Sequence, residues 1–288
     1  MASRVLARPS DVAIAARAGD ENFPVASRAL PGHLRRHLLA IYGFCRLADE
    51  LGDNYGGDRL AALDWLETEL DRAYAGSARH PTLRRLSATL ATVELPRRLF
   101  ADLIEANRID QRVHHYGTFD ELVGYCRYSA NPVGRLVLDL FGATTPARVA
   151  WSDRVCTGLQ LAEHWQDVGE DAAAGRVYLP EEDLHRFGVA VEDLGAPSAT
   201  PALRALLRFE VARTRWWLAD GRRLVADLTG PARLATAGFV AGGSAALDAI
   251  LAADCDVLGH RARPRPGRLV RHAAALLLAR VRSAGSAP

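Results

Sequence analysis

The chain reads as an all-α protein. Strand signals are almost missing, with no run that alternates Val, Ile or Thr with polar residues. Long segments with apolar residues three and four positions apart dominate the 288 residues instead. The breaks between these segments carry helix-start and helix-stop chemistry.

Taken in order, helices are predicted at roughly 32–52, 58–75, 81–93 and 96–114. Pro31-Gly32 opens the first, and Gly56-Gly57 separates it from the second. The fifth, 118–141, opens with Thr118 and Glu121, the spacing of a capping box. Pro132 falls inside it and removes a backbone donor, so a kink or break is predicted near Asn131. A sixth helix covers 146–172, and three more cover 200–228, 231–258 and 266–282. The one long non-helical stretch, 173–199, holds Gly175, Pro180, Gly188, Gly195 and Pro197. Both flanking blocks are too apolar to stand as separate bundles, so it reads as a loop excursion within one domain. That gives a single domain over 1–288, with a core at 19–260 and an Arg-rich tail at 261–288.

Composition bounds the function. Apolar residues make up 49% and charged residues 24%, ordinary for a soluble globular chain. A net charge of +2, without a stacking-and-basic motif, argues against nucleic acid as a partner. All 36 basic residues are Arg. No acidic residue follows Asp256, while Arg261, Arg263, Arg265, Arg268, Arg271, Arg280 and Arg282 flank the apolar run Ala273–Ala279. A solvated end is the commoner outcome for such a tail, and contact with an anionic membrane is the second reading. Cys45, Cys126, Cys156 and Cys255 are far apart and in apolar contexts, as buried thiols of a reduced compartment are. No stretch reads as long and apolar enough to span a bilayer, and no signal-peptide core stands at the N-terminus. A cytoplasmic location is expected, peripheral on the inner face of the membrane under the second reading of the tail.

Chemistry concentrates in two carboxylate pairs, Asp49/Asp53 and Asp167/Asp171, each four residues apart in a helical segment. That spacing puts both acids on one helical face, with Cβ atoms about 6 Å apart, where like charges repel. A divalent cation removes the repulsion, and Mg²⁺ takes one or two protein carboxylates plus phosphate oxygens and water. Two such faces turned toward each other make a site of two or three Mg²⁺ ions for a diphosphate. The bland account of either pair alone is a helix emerging into solvent. Glu163, four residues before Asp167, extends the second pair into a three-acid stripe, and Glu170 falls off it. Arg176 offers a cationic clamp for phosphate. Arg46 offers another, with a salt bridge to Asp49 or Glu50 as its competing reading.

Ser129, Ala130 and Gly134, beside the break at Pro132, let a backbone or ligand approach closely. Tyr42, Phe44, Tyr125 and Trp165 are candidates to line an apolar pocket whose ring faces stabilise a carbocation, although each alone is ordinary core. His33 and His164 read as ordinary partly buried histidines, and no Cys/His cluster argues for zinc. There is no glycine-rich phosphate loop, GxGxxG or GxSxG.

Together, Tyr42-Gly-Phe-Cys-Arg-Leu-Ala-Asp-Glu-Leu-Gly-Asp53, Tyr125-Cys-Arg-Tyr-Ser-Ala130 and Gln160 through Pro180 resemble the squalene/phytoene synthase family, in order, from about residue 20 to about 260. Within it, Glu21–Ser27, Ser129–Gly134 and Trp165-Gln-Asp-Val168 resemble the hydroxysqualene synthase branch of bacterial hopanoid biosynthesis. Phytoene synthases and presqualene diphosphate synthases usually carry Ile-Leu-Arg-Asp where this chain has His164-Trp-Gln-Asp167. The resemblance implies an isoprenoid-synthase helical bundle around a central cavity. It implies Mg²⁺ on Asp49, Asp53, Asp167 and Asp171, holding the diphosphate of presqualene diphosphate, with Glu163 a further candidate ligand beside Asp167. It also implies catalytic roles for Tyr42, Arg46, Tyr125 and Arg176, and substrate contacts from Phe23, Phe44, Ser129, Asn131, Gly134, Trp165 and Tyr178. Hydroxysqualene then forms by capture of water, without NADPH, and pathway enzymes before and after this step are implied partners.

Two departures stand out. Glu163 occupies a position where most of the family has Asn, and Gly19-Asp-Glu-Asn-Phe23 is acidic where other branches are Ser/Lys-rich. The second weakens the case for two bound diphosphates. Condensation of two prenyl diphosphates to presqualene diphosphate or phytoene is therefore the first rival, and a non-catalytic binding or assembly protein is the second.

Overall fold

The computed structural model of the chain describes residues 30–259 and 262–279. Phe23 and the end of the Arg-rich tail lie outside them. The described chain begins with α1 (Gly32–Asp49), a π-helical turn (Glu50–Asn54), α2 (Arg59–Tyr74), α3 (Pro81–Leu90) and α4 (Arg97–Ile109). α5 (Phe119–Ser129), α6 (Asn131–Leu140), α7 (Pro146–Gln166) and α8 (Val168–Ala173) follow. After α9 (Glu181–Phe187) and a 3₁₀ turn (Val191–Gly195) come α10 (Pro201–Leu218), α11 (Gly221–Asp227), α12 (Gly230–Ala252) and α13 (Pro266–Leu278). Among the described residues there is no strand, and one isolated parallel bridge joins His115 to Val177.

Proline and threonine decide where many of these helices start. Pro81, Pro146, Pro201 and Pro266 open α3, α7, α10 and α13, where a missing N–H leaves no helical bond unmade. Thr118, Thr145 and Thr200 accept from the backbone N–H three residues on. At Thr118 the reciprocal bond is present too, Glu121 Oε2 accepting from Thr118 N at 3.3 Å. The predicted fifth helix breaks at Ala130 (φ −122°, ψ −47°), one residue ahead of the predicted kink. Two further breaks carry no proline and were not predicted: Asp167 divides α7 from α8, and Ala219-Asp220 divides α10 from α11.

The stretch predicted as loop, 173–199, contains α9 and the 3₁₀ turn. It folds back on the connection between α4 and α5, with Val177 N donating to His114 O at 2.8 Å and Glu181 N to Tyr116 O at 2.9 Å.

Two apolar cores result. One gathers α1–α4 around Phe44, Leu66, Leu86 and Phe100. The other gathers α5, α7 and α10–α12 around Trp165, Leu206, Ala241 and Leu247. α6 sits between them, sending Leu136 and Leu140 to the first and Leu138 to the second.

One sequence expectation is corrected here. α12 spans 23 residues at mean hydropathy 1.5, so by length and composition it does qualify as a membrane span. It is core because 61% of that window is buried inside the molecule, against α7, α10, α11 and α13. The four cysteines are free, and Cys45 is half-buried rather than buried.

Candidate active site

A cavity of about 610 Å³ opens between the two cores. α1 contributes Leu38, Ile41, Tyr42, Cys45, Arg46 and Asp49, and the π-turn that continues it contributes Asp53. Those positions repeat every three or four residues, one face of a helix. α7 faces them with Ser152, Val155, Cys156, Leu159, Gln160, Glu163 and His164, continued by Asp167 and by Asp171 on α8. Leu103 and Asn107 from α4 with Asp110 at its C-terminal end, Val133, Gly134 and Val137 from α6, and Leu224 and Phe239 from α11 and α12 also line the wall. The depth is apolar, and one end is acidic.

All four paired aspartates and Glu163 line this acidic end. The break at Asp167 leaves the stripe intact, because Asp171 N still donates to Asp167 O at 2.8 Å. Arg176 joins the two acid groups. Its Nη1 donates to Asp53 Oδ1 at 2.6 Å, and its Nη2 stands 3.8 Å from Asp171 Oδ1. Arg46 Nη1 reaches Asp49 Oδ2 at 3.4 Å, as its competing reading expects, and Asn107 Nδ2 donates to Asp49 Oδ1 at 3.4 Å. Asn107 lies so close to the π-turn that a Cβ on Gly52 would strike its side chain.

Burial dominates the electrostatics. It pushes the Asp171 carboxyl up to about 7, helped by Asp167, Asp53 and Asp110 and opposed by Arg176. Asp110 is pushed up to about 6, again chiefly by burial, although Tyr125 and Arg176 pull it down. Against the pull of burial, Tyr178, Asp53 and Asp110 keep the Arg176 guanidinium above its usual range.

Asp110 was missed from the sequence, yet it organises the aromatic wall. Its carboxylate accepts from Tyr125 Oη at 2.6 Å and from Tyr178 Oη at 3.1 Å. The Tyr125 and Tyr178 rings stack with centroids 5.9 Å apart, and His164 stacks on Tyr178 at 3.8 Å. Burial brings the His164 imidazole down to about 3, so it is neutral, with Gln160 Nε2 3.4 Å from its Nε2. The signal for Asp110 was its place in the series Leu103, Ala106/Asn107, Asp110, the inward face of α4.

Three expected pocket residues lie elsewhere. Phe44 is fully buried against Phe100, 4.9 Å between centroids, because it sits two residues, roughly 200°, from Tyr42 and from Arg46. Trp165 is offset the same way from Glu163 and gives its Nε1–H to Thr214 Oγ1 at 2.8 Å in the core. Asn131 is buried and accepts from Thr157 Oγ1 at 3.1 Å, tying α6 to α7. The rings on the cavity wall are instead Tyr42, Tyr125, Tyr178 and Phe239. Ser129 and Gly134 do line it, and a Cβ at Gly134 would meet Cys156 and Ser152.

The donor set suits Mg²⁺. Carboxylate oxygens dominate the acidic end, and Asp171 is raised chiefly by burial and further by its carboxylate neighbours, a cost that a divalent cation would offset. Among the described residues no three acidic, His or Cys side chains close around one point. The acids stand as two facing groups, each of which would supply only part of a coordination shell, the rest falling to water or phosphate oxygens.

The family model of squalene/phytoene synthases matches residues 16–268 of this chain. A hydroxysqualene synthase of Rhodopseudomonas palustris (strain ATCC BAA-98 / CGA009) is 42% identical over 213 residues, covering 73% of this chain and 72% of that one. Among solved structures, squalene synthase HpnC from Alicyclobacillus acidocaldarius aligns with a TM-score of 0.74 at 48% identity, covering 83% of this chain and 90% of that one. A dehydrosqualene synthase in complex with ligand aligns at 0.79 and 27% identity, covering 88% and 90%.

Proposed function

The chain belongs to the squalene/phytoene synthase family, and from that premise we propose that this enzyme converts presqualene diphosphate and water to hydroxysqualene and diphosphate. The observation that carries the reading is the single guanidinium of Arg176 reaching both acid groups at the mouth of a cavity with an apolar depth.

Asp49, Asp53, Glu163, Asp167 and Asp171 would hold two or three Mg²⁺ ions, which would supply the positive charge that a departing diphosphate needs. Arg176 and Arg46 turn from their aspartates to the phosphate oxygens, where a guanidinium gives paired hydrogen bonds. As the substrate C–O bond breaks, its electron pair leaves with diphosphate. The cyclopropylcarbinyl cation left behind rearranges, its three-membered ring opening to place the charge on the open chain, while it faces the rings of Tyr42, Tyr125 and Tyr178. Asp110 fixes the latter two by their hydroxyls, and the apolar wall keeps bulk water out. Gln160 and His164 are uncharged hydrogen-bonding groups in that wall, suited to hold the one water that ends the reaction. Its oxygen forms the new C–O bond, and its proton goes to the released diphosphate. Water supplies the nucleophile, so no hydride donor such as NADPH enters. The product is a thirty-carbon alcohol, so the proposal includes peripheral contact with the inner face of an anionic cytoplasmic membrane and exchange with the enzymes before and after it.

Condensation of two prenyl diphosphates is the rival reading. It brings two diphosphates into one cavity, whereas among the described lining residues the cationic side chains are Arg46 and Arg176. A non-catalytic role has no need of five acids kept at one cavity mouth. Purified protein and Mg²⁺ incubated separately with presqualene diphosphate and farnesyl diphosphate decide between them. Hydroxysqualene from the first alone is expected. Product from farnesyl diphosphate alone would overturn the choice, and no turnover of either would favour the binding role.

A further inference from the structure

α13 shows an unusual outer face. Leu276 is buried, and Ala273 and Leu277 pack on the core beneath it. Val270 and Leu278 point outward at 64% and 80% exposure, with Ala274 exposed between them. The three lie four residues apart, which aligns them on one side of the helix. Single exposed apolar residues need no explanation, but a stripe of them bordered by arginine does.

The border is a cluster on Asp248 of α12. Arg268 donates to it at 2.8 Å, Arg215 of α10 at 2.7 Å, and Arg271 stands 3.6 Å away. His272 Nε2 lies 3.0 Å from the same carboxylate. One carboxylate cannot neutralise three guanidinium groups, so among the described residues the cluster carries a surplus of positive charge. All three arginines are 45–66% exposed, so that surplus faces solvent. Arg263 and Arg265 are exposed just ahead of α13, and no acidic residue follows Asp256 to offset them.

We infer that the outward face of α13 is a docking surface for an anionic lipid bilayer. Val270 and Leu278 enter the boundary between headgroups and acyl chains, and the surplus charge around Asp248 takes lipid phosphate. A short helix with apolar residues bordered by arginine fits that interface. A neutral partner would gain nothing from the uncompensated charge, and an anionic bilayer neutralises it.

The surface is tied to the acid end of the cavity. The chain between α12 and α13 runs behind α8, where the Gln166 side chain donates to Ala262 O. Leu258 O lies 3.1 Å from where a Cβ on Gly169 would stand. Truncation before α13 would therefore disturb the helix that carries Asp171, and point substitutions are the sound probe. The inference names the membrane partner of the proposed enzyme, yet its test involves no turnover of prenyl diphosphate. Failure of vesicle binding and failure of the reaction are thus separate results.

Full-length protein is co-sedimented with vesicles of phosphatidylcholine alone and of phosphatidylcholine mixed with phosphatidylglycerol. Binding is expected to the mixed vesicles only, and to fall with added salt. Val270→Glu with Leu278→Glu should lower the bound fraction by about tenfold, with the melting temperature unchanged. Arg271→Glu should weaken binding in the same direction. Equal binding to both vesicle types, or full binding by the double variant, overturns the inference. So does a double variant that lowers the mass of the protein in solution while binding vesicles normally, because the face then joins two copies of the chain.

Discussion

Arg176 links the two acid groups, reaching Asp53 at 2.6 Å and standing 3.8 Å from Asp171. Lys at this position keeps the charge but loses the planar fork. Arg176→Lys is expected to lower kcat/KM on presqualene diphosphate by roughly 10–100-fold, measured as diphosphate release. Asp171 carries a pH signature. Its carboxyl titrates near 7 in the folded chain, and near 3.9 unfolded. The folded state therefore holds the proton more tightly, and metal-free stability falls as pH rises from about 4 to about 7. Asp171→Asn should melt several degrees above wild type at pH 8, match it near pH 4, and release no diphosphate. Equal melting at pH 8 would mean that the carboxyl is not strained. His164 offers a test of water capture, because His164→Leu removes a neutral polar group from the cavity wall. Diphosphate release should persist while hydrocarbon products rise at the expense of the alcohol. An unchanged product ratio contradicts the assigned role. The carboxylate pairs, Arg46 and Arg176 were legible from spacing and residue type. Phe44 and Trp165 were misassigned because their aromatic character was weighed above their angular offset from the cavity-facing series. Asp110 was overlooked because a lone acid at a helix end has no sequence partner, and its partners Tyr125 and Tyr178 stand 15 and 68 residues away.

Where the helices start was readable from Pro and Thr, and where they break was readable only at Pro132. Asp167, with φ −106° and ψ 13°, ends α7 with no breaking residue. The turn lets α8 follow the cavity mouth and keeps Asp171 facing α1. Gly169 is the device that permits it, because Leu258 O and Cα lie 3.1 and 3.3 Å from a Cβ built there. The obstruction is backbone, which moves less readily than a side-chain end. Gly169→Ala is expected to push α8 off its seat, lowering kcat at least tenfold while melting falls by only a few degrees. A variant with full kcat would show that the seat of α8 does not matter. Within the excursion 173–199, read from the sequence as a loop, helix α9 was hidden by its seven-residue length between glycines and prolines.

At the scale of the molecule, the periodicity of apolar residues specified an all-α bundle, and the spacing of acids specified two charged faces. It could not specify that they meet. Arg176 and Asp53 are 123 residues apart, and the contact depends on Val177 pairing with the chain at His114 and on α6 separating two cores. Pairings of that reach leave no local mark. The proposed reaction therefore requires the two faces to act as one grip. Diphosphate release from presqualene diphosphate should be followed across a Mg²⁺ titration for wild type, Asp53→Asn, Asp167→Asn and the double variant. Release that needs Mg²⁺ in wild type, and is lost as fully in each single variant as in the double, is the predicted result. Mg²⁺-independent release, or near-normal release with one face neutralised, contradicts it.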